Sequence, residues 1–145
     1  MEVITPPLKE QKEIKRLKAS EKERYIRQQL RKIVNLNPHG VTLVQLNNTL
    51  SFDYRTIEKH LFALQFTNEV YTQKIGATTL YLSNLAGMKD ETKRNITIDD
   101  HEFEVSEIEN REGEFVLIRQ LREGDTRGGV LVPKDKHKEF LEFLV

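Results

Sequence analysis

The side chains best suited to binding chemistry in this 145-residue sequence lie in one short segment, from Asp53 to Leu64. In this segment, hydrogen-bond donors are interspersed with apolar positions. The donors are Tyr54, Arg55, Thr56, Lys59 and His60. Side chains of these types donate to phosphate oxygens and to acceptors on base edges. The segment therefore predicts a binding surface for nucleic acid.

The apolar positions of the same segment predict the helix that would carry these donors. Asp53 is a suitable N-cap, because its carboxylate can accept from the unpaired N–H groups of the first turn. The apolar residues recur at i, i+4 and i+7, as on a helix with one buried face. They are Ile57, Leu61 and Leu64, widened by Phe62 and Phe66. A shorter helix is predicted over residues 43–50, and only Ser51-Phe52 separates the two, which is typical of a helix-turn-helix.

This pattern resembles a known family. The spacing Thr56-Ile57-x-x-His60-Leu61-x-x-Leu64, followed by Val70 and a strand ending in Leu80-Tyr81-Leu82-Ser83-Asn84, is similar to the winged helix-turn-helix regulators common in archaea and bacteria. Asn68 stands where those proteins often have Gly, and Asn also adopts the left-handed cap conformation. The resemblance covers residues from about 21 to 84. It implies duplex DNA binding, with the second helix of the pair in the major groove.

Two neighbouring segments complete the predicted winged unit. Strands over residues 69–75 and 79–83 would form the wing, with Lys74 and Thr78 as backbone contacts beside its tip. A helix from about 21 to 36 precedes the pair, and Ser20 with Glu23 is interpreted as its capping box. Further phosphate contacts are expected from this basic helix. They are Arg24, Arg27 and Arg31.

The net charge of zero hides a strong asymmetry along the chain. Residues 9–32 hold ten Lys or Arg against four Glu, residues 33–84 hold three of each sign, and residues 85–145 hold ten basic against fifteen acidic groups. The basic front, residues 1–20 included, is expected to meet a polyanion, and the acidic back a different partner. The neutral middle argues instead for a protein partner.

Composition limits the remaining classes. There is no cysteine, which excludes disulfides and thiolate metal sites. No apolar run approaches membrane-spanning length, and residues 1–7 lack the apolar core of a signal peptide. The expectation is a cytoplasmic protein, associated with the nucleoid if prokaryotic, and without a membrane partner.

The C-terminal part predicts a second domain after a linker at residues 85–94. Strands are expected over 96–98, 102–108, 114–122 and 130–132, with a flexible loop at 124–129. Pro133 then opens a helix. Its apolar residues are Phe140, Leu141, Phe143 and Leu144. The predicted fold class is α+β: a winged helix-turn-helix at 21–84 and a small antiparallel sheet plus C-terminal helix at 95–145, which we expect to dimerise.

This second domain resembles the positive-cofactor-four type of transcriptional coactivator, a fold shared with small single-strand DNA-binding proteins. The matching residues are Gly113-x-Phe115-Val116-Leu117-Ile118-Arg119 and Gly129-Val130-x-Val132-Pro133. The resemblance implies a four-stranded sheet with a helix, a dimer, and single strands bound on the sheet. One departure concerns Glu102, Glu104, Glu107 and Glu109, which stand where a strand-binding face needs Lys and Arg. Candidate single-strand contacts are Arg119, Arg122 and Arg127, with salt bridges to those glutamates as the favoured role.

Enzyme motifs are missing from the sequence. There is no phosphate-binding glycine loop, no Gly-x-Ser-x-Gly elbow and no His-Glu-x-x-His helix. The histidines are scattered without ligand spacing. They are His39, His60, His101 and His137. We therefore expect no catalytic residues, no cofactor and no metal.

The sequence thus predicts a homodimeric, duplex-binding transcription regulator, and it leaves three alternatives open. One is a single-stranded DNA or RNA binder that uses the C-terminal sheet. Another is a protein-interaction subunit of a transcription or replication assembly. The third is a ligand-responsive regulator with a sensing C-terminal domain.

Overall fold

A computed structural model of the chain describes residues 2–136 and 139. Within them the structure mixes α and β, with four α-helices and two antiparallel sheets. The chain divides into two compact units. The first consists of Met1–Gln65 and Val70–Ser83, and the second of Phe66–Glu69 and Asn84–Val145.

The first unit is built from helices followed by a hairpin. The elements are α1 (Gln11–Arg16), α2 (Ala19–Leu36), α3 (Leu43–Leu50), α4 (Tyr54–Phe66), β1 (Val70–Ile75) and β2 (Thr78–Ser83). The apolar faces of α2, α3 and α4 meet in one core with Val70 of β1, and Leu30, Leu46, Ile57 and Leu61 are at most 1% exposed there. Ile57, Leu61 and Leu64 are all buried there, so the apolar stripe predicted for α4 is confirmed at these three positions.

The helix starts show which capping predictions hold. Asp53 caps α4, since its Oδ1 accepts from the Thr56 N–H at 2.7 Å. The capping box predicted at Ser20 was wrong: α2 begins at Ala19, and its N-cap residue Lys18 makes no side-chain capping bond. A full capping box forms instead at α3, where Thr42 Oγ1 accepts from the Gln45 N–H and Gln45 Oε1 accepts from the Thr42 N–H.

The hairpin of the first unit is in register over its whole length, from Val70 opposite Ser83 to Ile75 opposite Thr78. Val41 joins it through a single bridge to Tyr81, with main-chain N···O distances of 3.0 and 2.8 Å. The strands lie within one residue of the predicted bounds.

The second unit contains an antiparallel sheet in the order β3-β4-β5-β6. The strands are β3 (Arg94–Ile98), β4 (His101–Asn110), β5 (Gly113–Arg122) and β6 (Asp125–Pro133). Short 3-10 helices cover Leu85–Gly87, Asp90–Thr92 and Lys134–Lys136. The flexible loop predicted at 124–129 was wrong, because β6 already pairs with β5 from Asp125 onward, through a register shift at Gln120/Leu121.

One face of this sheet is buried and the other is half-open. Leu117 and Ile108 are fully buried on the first face, together with Glu104 and Ser106. Segment 85–94 was expected to be a linker. It contacts the sheet through an isolated antiparallel bridge between Met88 and Ile108 of β4. The helix predicted after Pro133, with Phe140, Leu141, Phe143 and Leu144, lies outside the described residues, as does His137.

Candidate nucleic-acid interface

The solvent-facing side of α4 carries the donors that the sequence singled out. Arg55 and Lys59 are exposed, Tyr54 is 44% exposed, and Thr56 is half-buried. Helical spacing places Arg55, Lys59 and Phe62 opposite the buried stripe. We call these three residues the outer face of α4. It offers two cationic donors at the N-terminal half of the helix.

His60 does not belong to this face, so its expected role as a groove contact needs correction. The side chain is 1% exposed and packs with the core of the first unit. Burial lowers the pKa of His60 below its ordinary value, and the positive charges of Arg27 and Lys59 lower it further. The physical reason is spacing: His60 follows Ile57 by three residues and precedes Leu64 by four, which is the buried side of the helix.

Lys59 is exposed, but its side chain forms an ion pair with Glu23. Its Nζ lies 2.7 Å from Glu23 Oε1, and the two side chains are 62% and 55% exposed. The hydrogen bond from Lys59 and its charge lower the pKa of Glu23 below its ordinary value. A phosphate on α4 would therefore compete with Glu23 for this lysine.

The three arginines predicted on α2 share one side of that helix by their spacing. Arg24 is exposed, whereas Arg27 and Arg31 are half-buried. The Nε of Arg27 is fully buried and has no hydrogen-bond partner among the described residues. Arg24 is thus the best placed of the three to meet a ligand from solvent.

The hairpin places its predicted contacts in solvent. Lys74 and Thr78 are both exposed and lie on opposite strands next to the tip, where Gly76 has a φ of +64°. A wing needs this arrangement, since polar side chains at a projecting turn can reach a nucleic-acid backbone.

In the second unit, the arginines expected to contact single strands separate into two kinds. The side chain of Arg119 is 12% exposed, and its guanidinium hydrogen bonds to Glu104 and lies 3.6 Å from Glu69 Oε2. The predicted salt bridge from Arg119 to a strand glutamate is confirmed, and the same burial withdraws Arg119 from solvent. Arg122 and Arg127 are exposed.

An exposed aromatic pair on α4 was not predicted from the sequence. Phe62 and Phe66 were assigned to the buried stripe, which was wrong, because they are 70% and 72% exposed. The signal was in the spacing: Phe62 follows Arg55 by seven residues and Lys59 by three, so it shares their face.

The two units carry opposite net charges of equal size, whereas the sequence segments divide into a basic, a neutral and an acidic part. Residues 1–65 and 70–83 hold thirteen basic and seven acidic side chains, a net charge of +6. Residues 66–69 and 84–145 hold ten basic and sixteen acidic side chains, a net charge of −6. A polyanion would be drawn to the first unit.

Comparison with protein-family models, with curated proteins and with solved structures finds no match to this chain. Among the described residues, no helix is both long enough and apolar enough to cross a membrane. In the same part of the chain, no group of three acidic or histidine side chains is placed to hold a metal ion.

Proposed function

We propose that this protein is a transcription regulator that binds duplex DNA through a winged helix-turn-helix and dimerises through its second unit. In this proposal α3 and α4 are the helix-turn-helix, and the β1–β2 hairpin is the wing. The observation that carries it is the exposed Arg55 on the outer face of α4, within a unit of net charge +6. Such a protein would act in the cytoplasm, on the nucleoid in a prokaryote.

Each contact has a distinct role in this proposal. Arg55, with its fork of donors, would read a base edge in the major groove, and Tyr54 would support it. Lys74 and Thr78 on the wing, with Arg24 and Arg31 on α2, would hold phosphates and fix the register. His60 takes no part, since it is buried and its lowered pKa keeps it neutral.

A second candidate function follows from the exposed aromatic pair. Large apolar side chains such as Phe62 and Phe66, more than two-thirds exposed, are typical of contact sites for protein partners. Glu58 and the Glu23–Lys59 pair also leave α4 less basic than a groove-reading helix usually is. The second candidate is therefore a subunit of a transcription or replication assembly that presents α4 to another protein.

Single-strand binding by the sheet has less support. Arg119 contacts Glu104 and Glu69, so of the three candidate arginines Arg122 and Arg127 remain to meet a strand. The second unit is also net acidic, which would repel a polyanion. Basic and aromatic side chains together are what such a face requires.

Fluorescence anisotropy tests the proposal directly. The probes are a random duplex and the matching single strand, each at about 50 and 200 mM salt, over which phosphate-driven binding changes steeply. Arg55→Ala should weaken binding to the random duplex, and on a duplex selected for preferred binding the loss should be about 1–3 kcal/mol. Arg122→Ala also removes one positive charge, but from the second unit. It is the matched control and should leave duplex binding unchanged.

The alternatives give different results in the same assay. Preference for the single strand, lost in Arg122→Ala and kept in Arg55→Ala, would move the binding site to the sheet. Failure to bind either probe would reject DNA binding and bring the protein-partner function forward. In that case Phe62→Ser should abolish recovery of a partner complex while leaving the fold intact, because the side chain is mostly exposed.

A further inference from the structure

Strand β3 is an unprotected sheet edge. The sheet order leaves β3 and β6 at the two ends. All five residues of β3 are exposed, including Ile96 at 44% and Ile98 at 56%. Among the described residues, β3 makes no main-chain hydrogen bond outside its own sheet. Its outer edge therefore offers unpaired N–H and C=O groups beside exposed isoleucines, which is a template for another strand.

The opposite edge of the sheet, strand β6, is protected against pairing with another strand. On β6, Asn68 Nδ2 donates to the carbonyl of Gly129 at 2.8 Å, and Gly129 lies directly against the main chain of Thr67. A register shift at Gln120/Leu121 and Pro133 at the end of the strand interrupt the edge further. Pro and irregular pairing are the devices by which proteins block edge-to-edge association. Strand β3 has neither.

We propose that β3 pairs antiparallel with β3 of a second copy, about a two-fold axis at Ile96, and joins two four-stranded sheets into one of eight strands. This inference rests on the proposed homodimer and is independent of DNA binding. It assigns the dimer contact to a sheet edge.

The strand is complementary to itself in this register. Arg94 lies opposite Ile98 of the second copy, Asn95 opposite Thr97, and Ile96 opposite its own equivalent. All five residues are therefore paired. Because directly opposed residues share a face, both isoleucines stay on one side. There they continue the half-open face formed by Phe103, Val105 and Ile118.

Charge also favours a second copy as the occupant. Lys93 immediately precedes β3, and Asp99 immediately follows it in a turn with a φ of +48°. In the register centred on Ile96, Lys93 of each copy lies beside Asp99 of the other. A two-fold contact makes such opposite-charge pairs twice, as an isologous interface requires. A neutral extended peptide would offer no charge to Asp99, nor to Lys93, whose Nζ also lies 3.4 Å from Glu104 Oε2 of its own sheet.

Cysteine cross-linking tests the register, and the chain has no cysteine of its own. Under mild oxidation with oxidised glutathione, Ile96→Cys should give a disulfide-linked dimer, since directly paired Cα atoms lie about 4.5–5.5 Å apart. Ile98→Cys is the matched control on the same strand and face. In this register its two Cα atoms would be about 14 Å apart, too far for a disulfide.

A charge substitution tests the same edge at equilibrium. Ile96→Lys places two ammonium groups opposite each other and should weaken dimerisation by about tenfold or more in sedimentation equilibrium. Val130→Lys is the control, because Val130 is as exposed as Ile96, at 45% against 44%, and lies on the protected edge. That variant should dimerise like the unmodified chain.

The outcomes distinguish failure of the β3 contact from failure of the proposed homodimer. A chain that stays monomeric at all concentrations would overturn both the homodimer and the β3 contact. A dimer that fails to cross-link through Ile96→Cys, or that cross-links equally through Ile98→Cys, would overturn the β3 contact alone. Selective cross-linking through Ile96→Cys, together with dimer loss in Ile96→Lys only, supports it.

Discussion

Lys59 Nζ lies 2.7 Å from Glu23 Oε1, so a cation on the outer face of α4 is held by a carboxylate from α2, 36 residues earlier. The contact is solvent-exposed, and an exposed pair of this kind adds little to stability. Its consequence is electrostatic, because Glu23 neutralises a positive charge where a phosphate would bind. If α4 binds DNA as proposed, the Glu23–Lys59 pair weakens that binding.

Removing this carboxylate should strengthen duplex binding. We expect Glu23→Gln to raise duplex affinity and to steepen the dependence of log K on log salt by about 0.9, the contribution of one additional phosphate contact. Anisotropy titrations over a salt series measure both. The control is Glu21→Gln, which removes an equal charge from an exposed position on the same helix. Equal effects of the two variants would show that only net charge matters.

His60 should make stability depend on pH. Burial lowers its pKa below the ordinary value of 6.5, as do the charges of Arg27 and Lys59, while Glu23 acts in the opposite direction. As pH falls through 6.5, the unfolded chain takes up a proton that the folded protein does not. The free energy of unfolding should thus fall with decreasing pH, by at most about 1.4 kcal/mol per pH unit from this residue.

Denaturant unfolding between about pH 7 and pH 5 checks this, since unperturbed histidines titrate in that range. His60→Gln should remove the His60 part of the decline, because Gln does not titrate. His39→Gln alters an exposed histidine instead and should follow the unmodified chain. If both variants keep the full decline, other groups carry it.

The features that the sequence predicted are those decided within a few residues. Asp53 caps α4 because its carboxylate reaches the Thr56 N–H, only three positions away. The β1–β2 hairpin follows from alternation and a glycine turn in the same way. Ser20 failed as a cap because the extended backbone of Leu17 and Lys18 moves the helix start back to Ala19.

The features that the sequence did not predict depend on distant partners. Glu69 is 1% exposed, and its charge is matched by Arg119, fifty positions later. The partnership of Arg119 with Glu104 was predictable, since β4 and β5 are joined by a short turn. Phe62 is a different case, because its spacing from Arg55 and Lys59 indicated the exposed face, whereas its apolar type favoured the buried stripe.

The buried position of Arg119 predicts a large effect on stability. Arg119→Leu would remove the guanidinium that contacts two buried carboxylates, Glu104 and Glu69, whose side chains are 7% and 1% exposed, and would leave Glu104 with only the longer contact to Lys93 at 3.4 Å. We expect a loss of about 3–5 kcal/mol in the free energy of unfolding of the second unit. Arg122→Leu alters an exposed arginine on the same strand and should cost little. A small effect at Arg119 would mean that both glutamates become solvated.

Adjacent glycines on β6 provide the sharpest packing comparison in the chain. A Cβ added at Gly129 would overlap the carbonyl oxygen of Thr67, which is main chain and cannot rotate away. We expect Gly129→Ala to lower the free energy of unfolding by about 1–3 kcal/mol, because overpacking forces a backbone shift. Thermal and denaturant unfolding measure it. Gly128→Ala is the control, since a Cβ there meets nothing within 4 Å, and it should be neutral or slightly stabilising. Equal destabilisation by both variants would show that flexibility of β6, rather than its contact with Thr67, requires glycine.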